Sequence, residues 1–206
     1  MDRIRLLIVD DHPMLREGVS AMIATQPDML VAGEAASAEE GIDLFRSLRP
    51  DVTLMDLQMP GMNGIEAIGR LRAEAPEARF LVLTTYGGDA QALRALRAGA
   101  AGYLLKSSMR RELVDAIRTV HAGGRAVAAA VAQEIALHAA GETLSDREIA
   151  ILLQVANGQA NKQIAQTLSI SEDTVKSHLK SIYAKLDVDD RAHAVATAIR
   201  RGIITI

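Results

Sequence analysis

Four short apolar runs in the first half of the chain each end in a side chain able to handle charged oxygens. Asp10 and Asp11 follow Ile4–Val9, Asp56 follows Val52–Met55, Thr84 follows Arg79–Leu83, and Lys106 follows Gly102–Leu105. If these runs are neighbouring parallel strands, all five groups meet at one end of a sheet, where open α/β folds bind ligands. Three carboxylates in one partly buried cleft repel one another, so such a cluster usually serves a cation. All-oxygen donors without His or Cys suit a hard metal, Mg²⁺ before others. A lysine and a hydroxyl beside that cation supply the charge balance and hydrogen bond that a phosphoryl group needs. The chemistry implied is phosphoryl transfer onto a carboxylate, giving an aspartyl phosphate. Each residue taken singly has a plainer reading. An Asp after a strand is more often a turn or cap residue, a lone Lys there is a solvated surface residue, and Thr84 has Thr85 beside it as an ordinary neighbour.

The pattern that would position these residues alternates over the first 120 positions. Five Val-, Ile- and Leu-rich runs, the four above and Met29–Glu34, are separated by longer amphipathic stretches. Strands alternating with helices imply parallel βαβ units with strands buried on both faces. Five units make an α/β domain with a doubly wound five-stranded parallel sheet. Ser37 and Glu40, three apart, read as a capping box, and the stretch 88–98 ends at Gly99, a helix C-terminus. After Val120 the alternation stops. His121-Ala122-Gly123-Gly124 reads as a flexible point, and alanine-rich Ala126–Ala140 as a linker helix closed by Gly141. From Thr143 onward there is no strand signal and four helices are readable, at about 146–157, 162–168, 172–186 and 190–201. Ser145 and Glu148 form a second capping box at the start of this all-α part. The expected domains are thus 1–120, a partly helical linker at 121–142, and 143–206.

Val9-Asp10-Asp11-His12, the run from Asp56-Leu57-Gln58-Met59-Pro60 through Gly64, Thr84, and Gly102-Tyr103-Leu104-Leu105-Lys106 together resemble a response-regulator receiver domain, flavodoxin-like in fold, over roughly residues 3–120. The resemblance implies that Asp56 is the phosphoacceptor. It also implies that Asp11 ligates Mg²⁺ directly, that Asp10 assists through water, and that the backbone carbonyl of Gln58 adds a third ligand. Lys106 would contact the phosphoryl group, with Thr84 the switch hydroxyl and Tyr103 the switch aromatic. Ser107 stands where many receivers have a proline after the lysine, so a cis Lys106–Ser107 peptide is not expected. His12 resembles a position typical of the subfamily with a helix-turn-helix output; a surface residue at a helix start is an equally good reading.

Residues 161–186 have the spacing of two helices joined by a tight turn at Ser169-Ile170, the second helix capped by Ser171. Val175, Leu179, Ile182 and Leu186 form one apolar stripe, and Asp173, Lys176, Ser177 and Lys180 lie roughly opposite. A helix entering a major groove needs such a polar face, although a lysine pair on a helix is more often only solvated. Leu144-Ser145-Asp146-Arg147-Glu148, Asn157-Gly158, Asn161-Lys162-Gln163-Ile164-Ala165 and the run Ile170–His178 resemble the LuxR-type helix-turn-helix domain over about residues 143–203. By that resemblance Lys176, Ser177 and Lys180 face the major groove. Thr174, His178, Lys162 and Lys185 are candidates for phosphate contacts, and the last helix, from Asp190, would form the dimer contact on DNA. Asp189 departs mildly from the pattern, standing where a neutral or basic residue is common.

The resemblance points to a NarL/FixJ-like response regulator of a two-component system. Its partners would be a sensor histidine kinase, double-stranded promoter DNA and a second copy when phosphorylated or DNA-bound; Mg²⁺ is its cofactor. It would not be an enzyme, beyond accepting a phosphoryl group on Asp56 and any hydrolysis of that group in the pocket. Bulk properties agree without deciding. Half of the 206 residues are apolar, enough for two cores. No cysteine is present, which excludes disulfides, thiolate metal sites and a cysteine nucleophile. The opening Met1-Asp2-Arg3-Ile4-Arg5 is unlike a signal peptide, and no uncharged run approaches the roughly 18 to 20 residues of a membrane span; a soluble, cytoplasmic protein is expected. Residues 1–142 carry 15 Lys and Arg against 19 Asp and Glu, and residues 143–206 carry 8 against 7, so charge alone does not announce a nucleic-acid binder. Other readings fit less well. A dehalogenase-type, Mg²⁺-dependent aspartyl-phosphate phosphatase wants a second Asp where Gln58 stands. A nucleotide or flavin binder wants a glycine-rich first turn. A small-molecule-sensing LuxR-type regulator wants an aromatic pocket, and this chain has two Phe, three Tyr and no Trp.

Overall fold

The computed structural model describes residues 3–85, 88–138 and 143–204. The chain divides into two compact units. The first contains the residues up to Thr85 and Ala92–Ala132, and the second runs from Gln133 onward together with a segment ending at Gln91.

The α/β part opens with β1 (Ile4–Val9), α1 (Pro13–Ala24), β2 (Met29–Ala35), α2 (Ala38–Leu48), β3 (Val52–Met55) and α3 (Gly64–Glu74). It continues with β4 (Phe80–Thr84), α4 (Asp89–Ala98), β5 (Gly102–Leu105), α5 (Met109–His121), β6 (Ala126–Val127) and α6 (Ala129–His138). All strand pairs are parallel, in the order β2-β1-β3-β4-β5-β6. Right-handed crossovers from β1 to β5 in that order put α1 on one face and α2 to α4 on the other, and α5 ties to the loop after α1 through Arg118 Nε, 2.8 Å from Asp28 Oδ2. Both faces of the sheet are therefore covered, which is why β3 and β4 are buried throughout. The chain leaves β1 towards one side of the sheet and returns to β3 on the other, so their carboxyl ends form the topological switch point.

The sheet has six strands among the described residues rather than the five expected. Ala126 and Val127, read from the sequence as the start of a linker helix, instead pair with Gly102 and Tyr103 at the open edge of β5. The helix starts three residues later, at Ala129, and its expected end at Ala140 and Gly141 lies outside the described residues. Gly102 permits the approach: a Cβ there would stand 2.6 Å from the Ala126 carbonyl oxygen. The stretch at Gly123-Gly124 is a hydrogen-bonded turn, with Gly123 N donating to Val120 O at 3.0 Å and Gly124 N to Thr119 O at 2.9 Å. No cis peptide occurs among the described residues.

The helical part contains α7 (Asp146–Ala156), α8 (Asn161–Thr167), α9 (Glu172–Leu186) and α10 (Arg191–Arg200). Their apolar stripes meet in one core that includes Ile151, Leu152, Ile164, Val175, Leu179, Ile182 and Ala198. The expected stripe of α9 is its buried face. Ser145 and Glu148 form the full capping box at the start of α7. The Ser37–Glu40 pair is only half of one: Ser37 accepts from Glu40 N at 3.2 Å, whereas the Glu40 carboxylate accepts from Ala36 N at 2.7 Å.

Candidate functional site

Strand register builds the acidic pocket. β1 pairs with β3 through Val9↔Met55, so Asp10 and Asp56, one residue beyond each, are neighbours; Asp56 N donates to Val9 O at 2.8 Å. β4 and β5 are the next two strands, and Lys106 N donates to Thr84 O at 2.8 Å. Asp10 and Asp56 are 1% and 2% exposed. Lys106 reaches both, its Nζ 2.7 Å from Asp10 Oδ2 and 2.7 Å from Asp56 Oδ2. Asp56 Oδ1 accepts from Leu57 N at 2.7 Å and from Gln58 N at 3.3 Å, which fixes the carboxylate plane. Burial raises the Asp56 pKa, against the hydrogen bond from Lys106, and the Asp10 charge pushes the same way as burial. Burial disfavours the Lys106 ammonium, but its hydrogen bonds to Asp10 and Asp56 outweigh that and hold its pKa above the ordinary lysine value.

Asp10, Asp11, His12 and Asp56 each offer one donor atom, all within 4.8 Å of one another. Asp11 Oδ1 is out of solvent and accepts no aligned hydrogen bond, although His12 Nδ1 lies 2.8 Å away. One lysine facing three carboxylates leaves negative charge in excess. This donor set therefore fits a hard divalent cation. Gly64 explains the spacing of the loop after Asp56. Its N donates to Leu57 O at 3.2 Å, and a Cβ there would fall 2.0 Å from the Asp56 carbonyl oxygen. Only glycine lets α3 begin so close to the acidic strand end.

Thr84 and Tyr103 are both fully buried and share a side-chain hydrogen bond. Burial drives the Tyr103 phenol well above its ordinary pKa, so it stays protonated as a donor. Asp10, Asp11, Asp56 and Lys106 thus meet at the ends of β1, β3 and β5, and Thr84 and Tyr103 stand on β4 and β5 beside them.

In the helical part, α8 and α9 are joined by a turn in which Ser169 takes a positive φ of 53°. Ile170 N donates to Ala165 O at 2.9 Å, and Arg147 Nη2 donates to Leu168 O at 2.7 Å, tying the turn to α7. Ser171 caps α9, accepting from Thr174 N at 3.0 Å. Lys162, Lys176, Ser177 and Lys180 are exposed, and Thr174 and His178 are half-buried. Lys176 Nζ lies 2.9 Å from Asp173 Oδ1. Lys185 differs from its expected setting: its ammonium pairs at 2.9 Å with Glu148, a buried carboxylate, rather than standing clear on the surface.

Several residues of these sites make contacts that their sequence does not announce. His12 joins the acidic cluster. Arg16, one turn into α1, donates from Nη1 to the Asp10 carbonyl at 2.6 Å and holds the end of β1. Arg147 pins the turn before α9. Glu148, the capping partner of Ser145, also accepts from Ser181 at 2.7 Å and from Lys185, binding α7 to α9. Burial works against the Glu148 charge, but the Ser181, Ser145 and Lys185 hydrogen bonds prevail and lower its pKa to about 2.

Comparison with known proteins agrees with this fold. Residues 6–118 match the response regulator receiver domain, and residues 142–198 match the bacterial regulatory proteins of the luxR family. The transcriptional regulatory protein LiaR of Bacillus subtilis is 41% identical over 209 residues, covering 98% of this chain and 99% of LiaR. The response regulator VraR of Staphylococcus aureus is 37% identical over 206 residues, with 98% and 99% covered. A solved structure of RcsB from Salmonella enterica serovar Typhimurium, bound to a promoter in the presence of the phosphomimetic BeF₃⁻, superposes with a TM-score of 0.76 at 26% identity, covering 95% of this chain and 98% of that one. The chain belongs to the two-component response regulators that join a receiver domain to a LuxR-type DNA-binding domain.

Proposed function

We propose that Asp56 accepts a phosphoryl group from a sensor histidine kinase and that phosphorylation controls binding of promoter DNA through α9. The observation that carries the first half is Lys106 Nζ standing 2.7 Å from both Asp10 and Asp56 inside the acidic cluster. In the transfer, the P–N bond of a phosphohistidine breaks as a P–O bond to an Asp56 carboxylate oxygen forms. The imidazole leaves with the electron pair. Backbone N–H groups of Leu57 and Gln58 hold the carboxylate for attack. Lys106 moves from carboxylate to phosphoryl oxygens, and the Thr84 hydroxyl bonds another of them. Mg²⁺ held by Asp11, Asp56 and the Gln58 carbonyl, with Asp10 behind, would neutralise phosphoryl charge. Water admitted to the same pocket would hydrolyse the acyl phosphate in time.

The coupling runs through Thr84 and Tyr103. A phosphoryl group on Asp56 competes for the hydroxyl that now bonds Tyr103, so the phenol must find a new partner and the β4–β5 edge repacks, a local event with a two-state readout. Residues 1–120 are the receiver, 121–142 the linker, of which Ala126 and Val127 join the receiver sheet as β6, and 143–206 the DNA-binding domain. On DNA, Lys176, Ser177 and Lys180 would enter the groove, and Thr174, His178 and Lys162 would meet phosphates; Lys185 would add to them only by leaving Glu148. A phosphorylated homodimer acting in the cytoplasm completes the proposal. Intact-mass measurement after incubation with acetyl phosphate and Mg²⁺ should show one added phosphoryl group in the wild type and none in Asp56→Asn. Equal phosphorylation of that variant would remove Asp56 from its role.

A further inference from the structure

We propose that Asp173 reads a base, accepting from the N4 amino group of cytosine while Lys176 donates to the paired guanine. The inference rests on α9 being the helix that enters the groove. Asp173, Lys176, Ser177 and Lys180 fall on one face of α9 by the 3.6-residue repeat, away from the buried Val175, Leu179 and Ile182. The Asp173 and Lys176 side chains are 89% and 62% exposed, and Asp173 Oδ1 lies 2.9 Å from Lys176 Nζ.

An acid at this place opposes binding in general. It repels phosphates, and the residues from Thr143 onward carry only 8 basic side chains against 7 acidic ones. The helix end does not require it either. Ser171 caps the helix by accepting from Thr174 N at 3.0 Å, and Glu172 already supplies a negative charge in the first turn. Selectivity gives Asp173 a use. A G·C pair shows two adjacent acceptors, guanine N7 and O6, followed by one donor, cytosine N4, along its major-groove edge. An ammonium and a carboxylate 2.9 Å apart present the complementary donor and acceptor side by side. An A·T pair separates its two acceptors by the adenine amino group, so the ammonium there loses one of its partners. Where guanine acceptors face the carboxylate instead, Asp173 repels them, and discrimination rises as general affinity falls.

Selection from a random duplex library with the full-length protein tests this. The wild type should enrich a G·C pair that Asp173→Ala no longer prefers, with discrimination at that pair falling about tenfold and affinity for unrelated duplex rising. Asp173→Asn, of the same size, should shift preference at that pair towards A·T, because an amide fits adenine N6 and N7. If Asp173→Ala enriches the same sequence as wild type and changes only overall affinity, Asp173 is a helix-end charge and the proposal is overturned. A wild type that enriches no sequence overturns the groove-helix reading, and this inference with it.

Discussion

Glu148 carries a buried negative charge that three hydrogen-bonding neighbours keep ionised, and removing a partner from such a group costs more than the bond itself gains. Its folded pKa of about 2 lies below the roughly 4.3 of a free glutamate. Because the folded value is depressed, its contribution to stability is fully present above pH ~4.3 and disappears as pH falls towards 2. Glu148→Gln should therefore loosen α9 by about 1–3 kcal/mol near neutral pH. Amide exchange of α9 should report this, and the gap to wild type should narrow below pH ~4. The contrast with the acidic pocket shows what can be read in advance. Asp10, Asp56, Thr84 and Lys106 were legible because each ends an apolar run, and parallel strands bring such ends together. Glu148 was legible only as the partner of Ser145 three residues away. Its ties to Ser181 and Lys185 span 33 and 37 residues and have no local signal.

Helices declared themselves through caps and stripes, and the observed ends lie within a residue of the expected ones in the helical part. Ser171 and the 175–179–182–186 stripe placed α9 in full. β6 was invisible because two residues carry no periodicity and their alanine-rich setting favours helix. Its pairing is decided from outside, by the unfilled edge of β5 and the bare backbone of Gly102. Ala126 N donates to Ala101 O at 3.1 Å and Ala128 N to Tyr103 O at 3.0 Å. Gly102→Ala should push this strand away, and hydrogen exchange at Ala126 and Ala128 should accelerate while β1 and β3 stay protected. For α9, Lys180→Ala should weaken DNA binding. A loss of about 1–3 kcal/mol that depends on sequence would mark a base contact, and a uniform loss with a shallower salt slope would mark a phosphate contact.

At the scale of the molecule, no helix among the described residues is long and apolar enough to cross a membrane. The near balance of charge after Thr143 means that one copy should hold DNA weakly at physiological salt. Two copies on a two-fold symmetric site roughly add their binding free energies, less the cost of association. A phosphoryl group that promotes pairing of copies, or frees α9, therefore changes occupancy steeply. Titration of a selected duplex with the full-length protein, with and without BeF₃⁻ and Mg²⁺, reads this directly in the wild type and in Asp56→Asn. The wild type should bind at least about tenfold tighter with the mimic, a change of ~1.4 kcal/mol, and Asp56→Asn should not respond. Equal affinity of the wild type in both states would contradict control of DNA binding by Asp56.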